Sequence, residues 1–135
     1  MMIASFPLFL VSFAIYNMVA FLTPGTSWES ALFSVPMQSG ATWAVSAGDL
    51  LLALSLLFLF FEMMKATRSY TRTIVDHLLS TLVFVAALVE FLLVKEAATS
   101  LFALLLLMSL VDVIAGWVVS MGSARRDIQV DHLNQ

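Results

Sequence analysis

Asp112 stands in the stretch LLLLMSLVDVIAG, residues 104–116, where seven apolar residues and Ser109 lead up to it and apolar residues resume at once. A carboxyl group in such surroundings has three chemical uses. Protonated, it donates to a serine or a backbone carbonyl and holds helices together. As a titrating group it relays a proton or binds a cation, and intramembrane acids often mark such routes. Otherwise it contacts a ligand or a partner. Ser109, Asp112, Gly116 and Ser120 share one side of a helix, and Gly116 with Ser120 makes a small-xxx-small pair that lets backbones approach closely. Asp112 is therefore expected to point into a bundle or an oligomer interface. By depth its expected neighbours are Ser12, Ser55 and Ser80 or Thr81, with His77 about a turn further in.

A second polar stripe lies earlier in the chain. Asp76, Ser80, Val83, Ala87 and Glu90 fall within about 80° of one another at about 100° per residue, which places an acid near each end of one helix face. Charged groups in hydrocarbon cost about 2.5–3.5 kcal/mol or more, so this face is expected to meet other helices. Glu90 is expected to reach the outer surface or to meet Asn17 and Ser100, either as a hydrogen-bonded carboxyl or as a functional site. Asp76 stands beside His77 and is suited to orient it. Glu62 and Lys65, three residues apart, suit a pair in which the lysine snorkels. In SAGD, Ser46 and Asp49 have capping-box spacing, the alternative being a cation site on the outer side. The two histidines, His77 and His132, are too isolated to make a metal site. HExxH, a GxSxG elbow, a phosphate loop and a dinucleotide fingerprint are all absent, so no catalytic residue, cofactor or metal is assigned.

The elements that carry these groups follow from composition. Of 135 residues, 61% are hydrophobic and 11% charged, against about 45–50% apolar and about 25% charged in soluble domains. A net charge of −3 with six Lys+Arg leaves no basic surface for nucleic acid, and the lack of cysteine excludes disulfides and thiol chemistry. The expected fold is an all-α integral membrane protein, an up-down four-helix transmembrane bundle over residues 1–127 with a short polar tail, 128–135, expected to fray. The expected spans are about 2–22, 47–67, 73–94 and 97–121. The first has no basic residue before it and no convincing small-x-small cleavage site, so it reads as a retained helix.

Lys65, Arg68 and Arg72 lie between spans two and three, and Arg125 and Arg126 follow span four, whereas the other two connections hold only Lys95. The positive-inside rule then puts both termini in the cytoplasm of a multi-pass protein, with Trp28 and Trp43 outside and Trp117 and Tyr70 near the inner boundary. The outer loop, 23–46, has two readings that can hold together. ALFSVPM and ATWAVS flank QSG, which suits a hairpin with Gly40 in the left-handed region and Pro36 confining its strand to an edge. Thr26 and Glu29 suit a capping box ahead of a short surface helix, with Trp28, Leu32 and Val35 on one face.

The run SGATW…GDLLLALSLLFLFFEMMKATR…VDHLLS…LVEFLLV…VDVIAG…ARRD, over roughly residues 39–127, resembles a group of small, uncharacterised inner-membrane proteins of proteobacteria. The resemblance implies a bacterial inner membrane and carries no catalytic or binding residue across. Two functions are expected from the residues. The first is a non-enzymatic protein acting by helix association, as a homo-oligomer or an accessory subunit of a membrane complex, with the lipid bilayer and a membrane protein as partners. The second is a small proton or cation transporter using Glu90, then Asp112, then Asp76 with His77. An enzyme acting on a lipid or a quinone is the remaining alternative.

Overall fold

The computed structural model describes residues 6–66 and 70–133, with the side chains of 6–65, 74–119, 121 and 122. Of the residues singled out above, Arg68 and residues 2–5 of the first expected span lie outside the described residues, as do the side chains of Tyr70, Arg72, Ser120, Arg125, Arg126 and His132.

Four helices and one hairpin make up the described chain: α1 (Phe9–Leu22), β1 (Ala31–Pro36), β2 (Thr42–Ser46), α2 (Ala47–Ala66), α3 (Tyr70–Leu93) and α4 (Ser100–Leu133), with a 3-10 turn at Lys95–Ala97. Three helical segments are long and apolar enough to cross a membrane: Ala47–Lys65, Ile74–Leu93 and Ser100–Val119. The first helix is apolar but holds 14 residues, about 21 Å against a hydrocarbon core of about 30 Å. It begins later than expected because Pro7 suits only a first turn. The amides of Leu10 and Val11 donate to Pro7 and Leu8 carbonyls at 3.1 and 3.0 Å, which tightens that turn. At the other end the Thr23 hydroxyl and amide both return to the Val19 carbonyl, at 2.7 and 3.2 Å.

The outer loop forms the hairpin. Strands β1 and β2 pair antiparallel, with Val35 opposite Trp43, Pro36 opposite Thr42 and an irregularity between Ala31 and Phe33. Gly40 closes the QSG turn at φ +89°, where a side chain would be strained. The Thr26–Glu29 capping box does not form. Ser27 instead accepts the Glu29 amide at 3.2 Å, and residues 28–29 make a turn rather than a helix. Helix α2 grows directly out of β2, and there the expected capping box is present. The Ser46 amide donates to Asp49 Oδ2 at 3.0 Å and the Asp49 amide to Ser46 Oγ at 3.2 Å. The Gly48 amide donates to the Trp28 carbonyl at 3.0 Å, tying the loop to the bundle.

Helix α4 departs from expectation at both ends. It starts at Ser100 because Thr99 Oγ1 accepts the Phe102 amide at 3.1 Å, a side-chain cap that leaves residues 95–97 to the 3-10 turn. It then continues through Gly122 to Leu133, so the expected frayed tail is helical as far as Leu133. No proline follows Trp117, and one glycine costs a helix only about 1 kcal/mol. The end of the apolar run therefore does not end the helix.

Helices α3 and α4, and α2 and α4, make the most extensive contacts, and α1 packs less closely on the other three. The interior has two halves. Towards the hairpin, Phe13, Tyr16, Phe91 and Phe102 gather with ring centroids 5.0–6.0 Å apart about Phe102, and Trp28 stacks on Tyr16 at 5.3 Å. At the opposite end the interior is polar: Glu62, Asp76, His77, Ser80, Ser109 and Asp112 are all buried. The surface is the reverse, with Leu56, Leu57, Phe60, Leu82, Leu92, Leu107 and Val118 exposed. Polar inside and apolar outside is the distribution that lipid, rather than water, stabilises.

Candidate functional site

The polar end of the bundle is assembled from all four helices. The last turn of α2 supplies Glu62 and Lys65, and the second turn of α3 supplies Asp76 and His77, with Ser80 a turn later. Asp112 and Gly116 come from the middle of α4, Asp112 lying about 18 Å along the helix from Ser100. The entry to α1 closes the site from the side.

Lys65 is the hub. Its Nζ donates to the Phe6 carbonyl at 2.6 Å and to Glu62 Oε1 at 3.1 Å, and it makes an ion pair with Asp76 Oδ1 at 3.1 Å. The expected Glu62–Lys65 pair is thus present, though Glu62 is fully buried rather than a surface partner. The same Glu62 oxygen accepts the Leu8 amide at 2.9 Å. A carboxylate there satisfies one orphan donor of the first turn of α1 and faces its positive end. Glu62 therefore fixes where α1 docks, a role that residue spacing in α2 could not reveal.

Asp112 does not meet Ser12 or Ser55. Those two hydroxyls bond each other at 2.8 Å, and Ser55 also donates to the Leu51 carbonyl at 2.8 Å. Asp112 instead lies by Ser80 and within electrostatic reach of Glu62, Asp76 and Lys65. The His77 ring is fully buried where Gly116 lacks a side chain. A Cβ on Gly116 would come within 2.8 Å of Nε2 and closer still to Cε1 and Nδ1. Gly116 thus makes room for a ring, not for a second backbone. Trp117 flanks that ring with centroids 6.1 Å apart and donates from its indole nitrogen to Thr81 Oγ1 at 3.1 Å.

Several of the cluster's polar atoms are unsatisfied among the described residues. Glu62 Oε2, Asp76 Oδ2 and both His77 nitrogens are buried without a hydrogen-bond partner, whereas Asp76 Oδ1 is held by Lys65. Such atoms are uncommon in folded proteins, because each loses its hydration without recovering a bond. Among the described residues, three carboxyls, Glu62, Asp76 and Asp112, lie about one ammonium, that of Lys65. Ionised carboxyls buried without a compensating cation cost several kcal/mol each, so such a group of acids is chemically suited to hold protons or a small cation. Among the described residues no three His, Asp or Glu side chains are placed to chelate a metal.

Glu90 is not part of this assembly. It accepts from Asn17 Nδ2 at 3.1 Å, as one expectation had it, while Ser100 stands apart at the start of α4. The aromatic group about Phe102 lies at the Glu90 end of the bundle, with Phe91 next to Glu90 and Tyr16 next to Asn17 in the chain. Ser109 is buried one turn from Asp112 on the hairpin side. Compared with known protein families, with curated proteins and with solved structures, the chain matches none.

Proposed function

We propose that the chain is a non-enzymatic, four-pass inner-membrane protein that binds and translocates protons through the Glu62–Asp76–His77–Asp112 cluster. In this reading α1 is the fourth span, and both termini and the α2–α3 connection lie in the cytoplasm, on the side of Lys65, Arg68 and Arg72. The observation that carries the reading is the set of buried carboxyls and an imidazole gathered near Lys65, with Glu62 Oε2, Asp76 Oδ2 and both imidazole nitrogens unpartnered among the described residues. Protons are the favoured charge because the ligands do not converge as a metal site would, while carboxyls and an imidazole each exchange a proton. Towards the hairpin the polar path continues through Ser109 and the Ser12–Ser55 pair before meeting the buried rings of Phe13 and Phe102. A packed plug of that kind suits gated transport rather than an open pore. The association reading, a homo-oligomer or an accessory subunit, has less support, because the polar stripes of α3 and α4 face each other inside one chain.

The test is proton flux in proteoliposomes under an imposed pH gradient, wild type beside Asp112→Asn and Asp76→Asn, with incorporation and oligomeric state checked for each. Flux in the wild type that is lost in Asp112→Asn is expected, since the amide hydrogen-bonds but carries no proton. Absence of flux from verified wild-type protein, or undiminished flux in Asp112→Asn, overturns the reading and returns the search to co-purifying partners.

A further inference from the structure

The bundle is open along one side, between α1 and α3. A groove of about 600 Å³ runs there between Leu10 and Ala14 on one wall and Leu82 and Ala86 on the other, ending towards the hairpin at Asn17 and Glu90. From Pro7 to Asn17 it follows α1 for about 15 Å, half of a hydrocarbon core of about 30 Å and so the depth of one leaflet. Apart from Asn17 and Glu90 its lining is wholly apolar, which suits hydrocarbon chains.

Its polar end has a definite sign. Asn17 Nδ2 spends its two hydrogens on the Phe13 carbonyl at 3.0 Å and on Glu90 Oε1 at 3.1 Å. What remains is acceptors: Asn17 Oδ1 is buried without a partner, and the Glu90 carboxylate stands beside it. Glu90 lies three residues before the end of α3, about 5 Å below it, at head-group depth. The complement of an anionic acceptor pair at the top of a leaflet-deep apolar groove is a cationic head that donates N–H bonds.

We propose that this groove binds one aminophospholipid of the leaflet on the hairpin side. Its acyl chains lie between α1 and α3, and its ethanolamine ammonium donates to Glu90 and Asn17. A choline head carries the same charge but has no N–H, which makes it the natural control. The experiment is native mass spectrometry of the full chain purified from mixed phosphatidylethanolamine and phosphatidylcholine, wild type beside Glu90→Gln and Ala86→Trp. Retention of one ethanolamine lipid per chain is expected, preferred about tenfold over the choline lipid on the strength of one charge-assisted hydrogen bond. Glu90→Gln should bring the two lipids towards parity, and Ala86→Trp, whose indole fills the groove from an exposed position, should abolish retention of both. Ala14→Trp, on the opposite wall and also exposed, serves should Ala86→Trp not fold. Equal retention of the two lipids in the wild type, retention that survives both tryptophans, or a lipid-free dimer that a groove tryptophan dissociates would each overturn the assignment.

Discussion

His77 and Gly116 show what residue spacing can and cannot reveal. Periodicity places Asp76, Ser80, Asp112 and Gly116 on inward faces, and all four are inward. It does not name partners, because a helix period fixes direction on a helix and not the register between helices. Gly116 read alone is a place where two backbones touch, yet the space is taken by an imidazole from α3. Gly116→Ala should therefore overpack the site, since the whole ring, backed by Trp117, must move to admit one methyl group. A loss of about 1–3 kcal/mol is expected, read as a lowered midpoint of thermal unfolding in detergent. In His77→Ala the same substitution should cost little, because the ring it collides with is gone. Additive losses in the double variant would contradict the contact. Glu62 is the residue least legible in advance. Its fully buried carboxylate bonds the Leu8 amide, 54 positions away, and no local pattern encodes a contact at that separation.

The ends of α1, α2 and α3 were legible to within a residue, and among the starts the legible one was that of α2, for a physical reason. A start needs a side chain that accepts an amide, and SAGD spells one, so the Ser46–Asp49 box is where its spacing puts it. Asp49→Ala removes half of that exchange and leaves the Ser46 amide without its partner. A cost of about 1 kcal/mol is expected, measured by thermal unfolding, with Asp49→Asn losing less because its carbonyl oxygen still accepts the bond. An Asp49 serving instead as an external cation site would lower cation affinity in both variants alike and leave stability unchanged. The same logic explains the misplaced box at Thr26–Glu29. The spacing is there, but Trp28 is held by its carbonyl to Gly48 and by its ring to Tyr16, so tertiary contacts override the local signal. The end of α4 misled in the opposite direction. Hydropathy falls after Val119, which marks where the chain stops suiting lipid, but backbone hydrogen bonding continues for 14 more residues to Leu133, about 21 Å of helix.

For the whole molecule, the deciding contrast is between its inside and its outside. Among the described residues eight polar or charged ones are buried, from Ser12 to Asp112, while leucine and phenylalanine side chains lie on the surface. In water this arrangement would expose the apolar groups and desolvate the polar ones, both unfavourable; in a bilayer the first is neutral and the second confers partner choice between helices. Composition anticipates helices long and apolar enough to span a membrane, and three of the described segments are so; the residue-by-residue burial is what composition could not supply. The orientation then rests on where the basic residues fall. Lys65 is held by Phe6, Glu62 and Asp76 at one end of the bundle, and the hairpin tip at residues 38–40 carries no charge at the other. Positive charge is retained on the cytoplasmic side, so the hairpin is expected outside. The chain has no cysteine, so single substitutions can be labelled without background. Ser39→Cys at the hairpin tip should react with a membrane-impermeant maleimide in intact cells. Asp127→Cys, beyond the apolar part of α4, should react only after permeabilisation. The reversed pattern would invert the molecule and place the acid cluster at the outer face. Labelling of both sites in intact cells would mean that the number of crossings between them is even, so that α2, α3 and α4 do not all cross, and the spans would have to be reassigned before any transport direction is drawn.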